Sequence, residues 1–221
     1  ETLRRDFVAN VSHELRTPIT SIKGFVETLQ SDPPADPDVA ARFLGIVGRQ
    51  ADRLQAIIDD LLALSRIEQG GDAVELDRDP VALRGLLDEA VDVSTARVAD
   101  QLPTVRVECP DDLEIAVSGP LLEQALVNLL DNALKHGAAS EIVVAAREEG
   151  DRVVLTVRDD GRGIAPMHLS RVFERFYRVD KARSRNLGGT GLGLAIVKHI
   201  AQAHGGRSEE RRVGKECATG C

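Results

Sequence analysis

His13 and Glu14 are adjacent in "VSHELRTPIT", and Thr17 follows the histidine by one helical turn. A neutral imidazole has a free ring nitrogen that can attack an electrophile, and a neighbouring carboxylate can orient the ring or accept its proton. On a 100° wheel His13 lies about 160° from the centre of the apolar stripe Leu3, Phe7, Val11, Leu15, Ile22, Val26 and Leu29, so it points outward. Position alone leaves two readings open, a solvated surface histidine and an exposed nucleophile. Pro18 lies inside the same helical pattern, where it removes a backbone hydrogen bond and clashes with the preceding turn at a cost of about 3 kcal/mol.

A second group of candidates comes later. In "NLLDNALKHG" Asn128 and Asn132 stand at i and i+4, with Lys135 nearby on the same side of the helix. In "DDGRG" Asp159 sits beside Gly161 and Gly163, whose backbone can approach a flat ligand closely. Either group by itself is as readily a helix surface or a turn. "GGTGLGLA" then places Gly188, Gly189, Thr190, Gly191, Leu192 and Gly193 just before a helix, where backbone N–H groups and the helix dipole can cradle phosphates. There is no G-x-x-x-x-G-K-[ST], so this is not a P-loop.

Between these motifs runs "ERFYRVDKARSRNLGG", with Arg175, Arg178, Lys181, Arg183 and Arg185. It reads as a solvated loop or as a lid whose cations, Arg178 first among them, face a triphosphate. Phe173, Phe176 and Tyr177 are expected to anchor that lid on the core, with Tyr177 bordering the nucleotide.

The elements that must hold these residues fall into two regimes. Up to about Glu68 the period is helical, broken once by "SDPPADPD" at 31–38. Beyond that breaker Val39, Phe43, Ile46, Val47, Leu54, Ile57, Leu61 and Leu64 form a second stripe. Two such helices make a hairpin, which buries its stripes well only by pairing with a second copy as a four-helix bundle, hence a homodimer. After a loose linker at 69–80, helix-like "VALRGLLDEAVDVSTARVADQ" is followed by strand-like "TVRVE" and "LEIAV", then the helix ending at Gly137. "EIVVAAREEG" and "DRVVLTVRDDG" read as two strands around a Gly-Asp turn, so this part is a mixed α/β domain.

Bulk properties narrow the function classes. The chain has 221 residues, 43% of them hydrophobic, and a formal net charge of −8. That charge argues against nucleic-acid binding, which needs a basic surface. No apolar run approaches the roughly 20 residues of a membrane span. Cys109, Cys217 and Cys221 are odd in number and lack metal-ligand spacing, which fits reduced cytosolic thiols. The chain begins at Glu1 inside a helical pattern, which reads as a fragment with an upstream portion missing.

Taken in order, the motifs resemble those of the sensor histidine kinases of two-component systems. "FVANVSHELRTPITSIKGF" resembles the phosphoacceptor H-box, "LVNLLDNALKH" the N-box, "VRDDGRGI" the G1 box, "VFERFYRVD" the F-box and "GGTGLGLAIVKHI" the G2 box. The resemblance covers residues 3 to about 206. It implies an α plus α/β architecture: a helical hairpin (1–68) dimerising to a four-helix bundle, and a Bergerat-type (GHKL) α/β sandwich (81–206) as in gyrase, Hsp90 and MutL.

Carried onto matching positions, the resemblance implies that His13 attacks the γ-phosphate of ATP, that Glu14 is its base, and that Thr17 positions a water for phosphatase activity toward the partner. It implies that Asn132, with Asn128 nearby, coordinates Mg2+ and that Lys135 contacts phosphate. Asp159 would accept from the adenine amino group, Gly161 and Gly163 would allow close approach, and Gly189, Thr190, Gly191, Leu192 and Gly193 would end the ATP lid. The implied partner is a response regulator receiver domain. The implied setting is the cytoplasmic portion of a protein of the bacterial inner (plasma) membrane, attached through the missing upstream region.

Competing readings are an ATPase of the same superfamily, which would not need the hairpin, and a degenerate dimeric scaffold, which would have lost some of these residues; none is missing. Two departures from the pattern stand out. His136 replaces a common aromatic, and after "AHGG" the charged "RSEERRVGKECATGC" lacks the alternation of a closing strand. Residues 207–221 therefore read as a foreign tail of vector or adapter origin on a domain without its last strand.

Overall fold

The computed structural model describes residues 2–32, 34, 36–69, 77–96, 98, 102–136, 139–180 and 189–210, the side chains of 2–6, 68, 69 and 136 excepted. Leu3, Gly137, Lys181, Arg183, Arg185, Gly188, Cys217 and Cys221, and the side chain of His136, thus lie outside the described residues or side chains.

Two long helices open the chain, α1 (Thr2–Ser31) and α2 (Pro37–Gln69), and they pack against each other. Asp36 starts α2. Its Oδ1 accepts from the Asp38 amide at 2.9 Å, and its carbonyl accepts from the amides of Val39 and Ala40. Pro37 takes the first helical position, where a missing N–H is harmless, and Asp38 places negative charge at the positive end of the dipole. Phe25 and Phe43 meet near the loop with ring centroids 5.1 Å apart and planes inclined at 56°, while Ile57 and Leu64 of α2 are fully buried. Pro18 is also fully buried, and α1 runs unbroken through it. Val8, Ile19, Leu44, Ile58 and Leu62 stay exposed, so the hairpin keeps apolar surface that its own chain does not cover.

The second part is an α/β sandwich. Strand β1 (Asp79–Ala82) leads into α3 (Leu83–Thr95), followed by β2 (Thr104–Glu108), β3 (Glu114–Val117) and α4 (Gly119–His136). Then come β4 (Glu141–Glu149), β5 (Arg152–Asp159), the short α5 (Pro166–Leu169) and α6 (Gly193–Ala203). β2 pairs parallel with β4, β4 antiparallel with β5, and β1 antiparallel with β3 as a separate ribbon. Glu149 faces Arg152 across the tight β4–β5 turn, where Gly150 takes φ +65°. Leu83, Leu87 and Ala90 recur at helical spacing on α3, and Leu122, Leu126, Leu130 and Ala133 on α4. Ile142, Val144 and Ala146 alternate on β4, and all ten belong to one buried core. Each fully buried Leu or Ile contributes about 1.5–3 kcal/mol.

The structure differs from the periodicity reading at β1, which crosses the expected boundary between linker and helix. Its four residues include Pro80, and Val81 alone is partly buried, so the segment carries no alternation; pairing with β3 supplies the order. Residues 207–210 have no regular structure, and 211–221 lie outside the described residues.

α6 ties the halves together. On one side His204 accepts from the Ser118 amide at Nε2 (3.0 Å) and donates from Nδ1 to the Ile200 carbonyl (2.8 Å), fixing α6 to the start of α4. On the other, Leu192, Ile196, Val197 and Ile200 share a core with Leu64 of α2 and Ala125 of α4, against which Phe7, Leu61 and Phe176 also pack. The hairpin and the sandwich therefore meet through α6.

Candidate active site

The outer face of α1 carries His13, exposed as the wheel requires, and with Arg16, Thr17, Thr20 and Ser21 it lines an open groove. Thr17 is exposed too, but its hydroxyl donates to the His13 carbonyl at 3.1 Å, the back-bond common for helical threonines. Glu14 turns inward instead. Its Oε2 accepts from Arg53 Nη2 of α2 at 2.8 Å and from Arg178 Nη2 at 2.9 Å, and both arginine side chains are 4% exposed. One carboxylate oxygen thus joins both hairpin helices to the segment before the glycine-rich turn.

Among the described residues of the basic cluster, Arg178 has its side chain almost wholly buried. Its Nη2 also donates to the Thr190 carbonyl at 2.5 Å, while its Nε is buried without a hydrogen-bond partner among the described residues. Thr190, itself buried, donates from Oγ1 to Asp60 Oδ2 of α2 at 2.6 Å and accepts from the Leu192 amide at 3.1 Å. Burial pushes the Asp60 carboxyl above its ordinary range, opposed by the Thr190 hydroxyl bond and reinforced by the neighbouring Asp59. The turn is tight: Gly191 has φ +77°, and a Cβ there would lie 3.0 Å from Phe176 Cα and 3.1 Å from Arg178 Nε. Phe176, at φ 64°, donates its amide to the Gly191 carbonyl at 2.8 Å. Only glycine fits at 191, and that fit brings the Arg178 guanidinium under the turn.

Arg175 stacks over Phe7 at 5.1 Å and lies 3.2 Å from His199 Nε2. Phe173 and Phe176 are half-buried, and Phe176 also lies 6.0 Å from Phe7, as expected of anchors. The Tyr177 hydroxyl lies 2.6 Å from His168 Nδ1, with Arg171 over the ring at 4.3 Å, so this side chain is packed among its own neighbours.

On α4 the three expected residues diverge. Asn128 is half-buried against α6: a Cβ at Gly193 would lie 3.1 Å from its Oδ1, and its Nδ2 is buried without a partner among the described residues. Asn132 is half-buried as well. Lys135 is held on its own helix by Asp131 at 2.6 Å. Asp159 ends β5 half-buried, and its Oδ1 accepts from the Gly161 amide at 2.9 Å; Gly163 follows at φ +65°. Gly189 and Leu192 complete the turn, Leu192 as part of the core.

The orphaned donors Asn128 Nδ2 and Arg178 Nε, beside a glycine turn that no Cβ can enter, fit an oxyanion such as phosphate. The amide oxygens of Asn128 and Asn132 are the hard oxygen donors that suit Mg2+, and no cluster of three His, Cys, Asp or Glu offers an alternative metal site among the described residues.

Several residues that matter here do not emerge from motif reading. Arg53 and Asp60 each precede a buried apolar residue of α2 by four positions, Ile57 and Leu64, so both are charges on the apolar face. That placement is a legible signal of a buried partner. Asp160 is another: its Oδ1 accepts from the amides of Ser140 (2.7 Å) and Glu141 (3.0 Å), and its Oδ2 from the Ser140 hydroxyl, which pins the start of β4 beside Asp159.

Comparison with known proteins bears on both halves. The family model described as His Kinase A (phospho-acceptor) domain matches residues 3–70, and the one described as Histidine kinase-, DNA gyrase B-, and HSP90-like ATPase matches residues 117–218. The chain is 38% identical over 207 residues to the sensor histidine kinase WalK of Bacillus subtilis, covering 92% of this chain and 33% of that protein. It is 40% identical over 207 residues to the sensor-like histidine kinase SenX3 of Mycolicibacterium smegmatis, covering 93% of this chain and 53% of that protein. Its fold is similar to that of the histidine kinase ThkA in a complex with the response regulator protein TrrA, with a TM-score of 0.73, 24% identity, and coverage of 94% of this chain and 58% of that one. The chain thus spans about half the length of these curated relatives, or less.

Proposed function

The chain belongs to the sensor histidine kinases in both its hairpin and its nucleotide-binding domain, and from that premise we propose that it is an ATP-dependent autokinase that phosphorylates His13. A free nitrogen of the exposed imidazole attacks the γ-phosphorus of ATP, the bond to the β–γ bridging oxygen breaks, and ADP leaves with that electron pair. Glu14 takes the displaced ring proton; a positioned base of this kind is worth roughly 10²–10⁴-fold. Arg178 and the Thr190–Gly193 turn hold the phosphates, Asp159 the adenine, and Gly161 and Gly163 keep the backbone close to it. Mg2+, held by the Asn132 amide oxygen with Asn128 nearby and with Lys135 contacting phosphate, would neutralise charge on the phosphates. Phosphoryl transfer needs positioning and charge neutralisation more than covalent help.

The phosphoryl group then passes to an aspartate of a response regulator receiver domain, and Thr17 positions a water for the opposing phosphatase activity, in which that water attacks the aspartyl phosphate and releases inorganic phosphate. The exposed apolar residues Val8, Ile19, Leu44, Ile58 and Leu62 support pairing with a second copy into a four-helix bundle. No helix among the described residues is long and apolar enough to cross a membrane. The same proposal assigns this portion to the cytoplasmic side of a larger bacterial membrane sensor.

The observation that carries the reading is the Glu14–Arg178 ion pair at 2.9 Å, which puts the neighbour of the histidine in contact with the nucleotide segment. Incubation with γ-labelled ATP should give an acid-labile, base-stable label on the wild-type chain and none on His13→Gln. Label persisting on the variant would sink the assignment.

A further inference from the structure

Arg178 and Thr190, two residues of the nucleotide segment suited to meet a phosphate, are both held by carboxylates of the hairpin. Arg178 Nη2 lies 2.9 Å from Glu14 Oε2, and Thr190 Oγ1 donates to Asp60 Oδ2 at 2.6 Å. The two contacts are one unit, because Arg178 Nη2 also donates to the Thr190 carbonyl at 2.5 Å. Water does not compete there: the Arg178 side chain is 4% exposed and Thr190 9%. Beneath them Leu61 and Leu64 of α2 seat against Leu192 and Ile196, so apolar burial holds the arrangement while the polar pairs set its register.

We propose that Glu14 and Asp60 stand in for phosphate oxygens, so that docking of the hairpin on this segment and binding of a triphosphate exclude each other. This autoinhibitory contact rests on the reading above, in which Arg178 and Thr190 serve the nucleotide. A guanidinium and a hydroxyl offer the same N–H and O–H donors to a carboxylate as to a phosphate. The unpartnered Arg178 Nε marks a donor set that the single Glu14 oxygen does not use up. Burial pushes the Asp60 carboxyl upward while the Thr190 hydroxyl bond opposes it, so its contact with Thr190 favours the charged form in the docked arrangement. Triphosphate arrival recruits Arg178 and releases Glu14 from one of its two guanidiniums, leaving Arg53 as its remaining partner. Coupling is reciprocal: nucleotide weakens docking by the factor by which docking weakens nucleotide.

The test is calorimetric binding of the β,γ-imido analogue of ATP, and of adenosine, to the full chain in wild type, Glu14→Gln and Asp60→Ala. Coupled sites typically differ by roughly 5- to 150-fold, so the analogue should bind at least about fivefold tighter in each variant while adenosine affinity stays unchanged. If Glu14→Gln does not fold, Asp60→Ala carries the test alone. Unchanged analogue affinity, or equal tightening of adenosine, overturns the proposal. A wild-type chain that labels His13 together with unchanged analogue affinity overturns this inference alone; absence of analogue binding in all three proteins overturns the functional reading with it.

Discussion

Glu14 and Arg178, 164 positions apart in the chain, are joined at 2.9 Å, and the same Glu14 oxygen holds Arg53 at 2.8 Å. Two largely buried cations on one carboxylate form a clamp whose energy depends on all three members. Loss of one arginine leaves the carboxylate with the other, whereas loss of the carboxylate removes the counter-charge of two largely buried cations. The geometry makes Glu14 both the chain neighbour of His13 and the closure between two domains.

The clamp predicts a specific pattern in a double-mutant cycle. Arg53→Leu alone should destabilise the chain by about 1–3 kcal/mol, since Glu14 is partly solvated and keeps Arg178. Glu14→Leu alone should cost more, about 3–5 kcal/mol, because it takes the carboxylate from two largely buried cations at once. The double variant should recover part of the sum, with an interaction energy of about 0.5–3 kcal/mol measured by urea denaturation. Strict additivity would show that Arg53 and Glu14 are not energetically paired.

Most of the scaffold is legible in the sequence because it obeys a local period. The α1 stripe from Phe7 to Leu29 and most of the α2 stripe are half-buried, Ile57 and Leu64 fully buried, and His13 on the opposite face of α1 is exposed. Charges at Arg53 and Asp60 on an apolar face announce buried partners, yet the partners are set only in three dimensions, Glu14 by the packing of α1 on α2 and Thr190 by the docking of α6 against α2. β1 is invisible to periodicity because its order comes from β3. Asn128 reads as a ligand by motif, while its contact with Gly193 is a helix-packing relationship that needs the third dimension. Lys135 likewise reads as a phosphate contact, and its i−4 neighbour Asp131 captures it.

Asp160 gives a prediction in pH. The Ser140 hydroxyl, then the Glu141 amide, hold its carboxyl below the ordinary value of 3.8. A folded-state value below the unfolded one means that the carboxylate stabilises the fold above pH 3.8 and that this contribution is lost as pH falls through the lowered folded value. Thermal melts of wild type and Asp160→Asn should therefore differ at neutral pH and converge in acid below that value. A difference independent of pH would assign the effect to packing and not to charge.

Pro18 is where the structure changes the expectation from sequence most. A proline inside a helix costs about 3 kcal/mol, and here it deprives the Glu14 carbonyl of its i+4 donor one turn below His13. The side chain is fully buried, however, so the ring also fills space in the hairpin. Pro18→Ala restores the donor and removes the clash but deletes two buried ring carbons, roughly 1.6 kcal/mol at about 0.8 kcal/mol per methylene. The net expectation is a gain of about 1–2 kcal/mol in stability, read from the denaturation midpoint, by the difference of these two effects. Stiffening the turn that carries His13, Glu14 and Thr17 should also shift the balance of autophosphorylation against dephosphorylation of the regulator, measured with labelled partner. A rise in stability with both rates unchanged would make Pro18 a packing residue of the hairpin; a fall in stability would mean that the ring's contacts outweigh the hydrogen bond it removes.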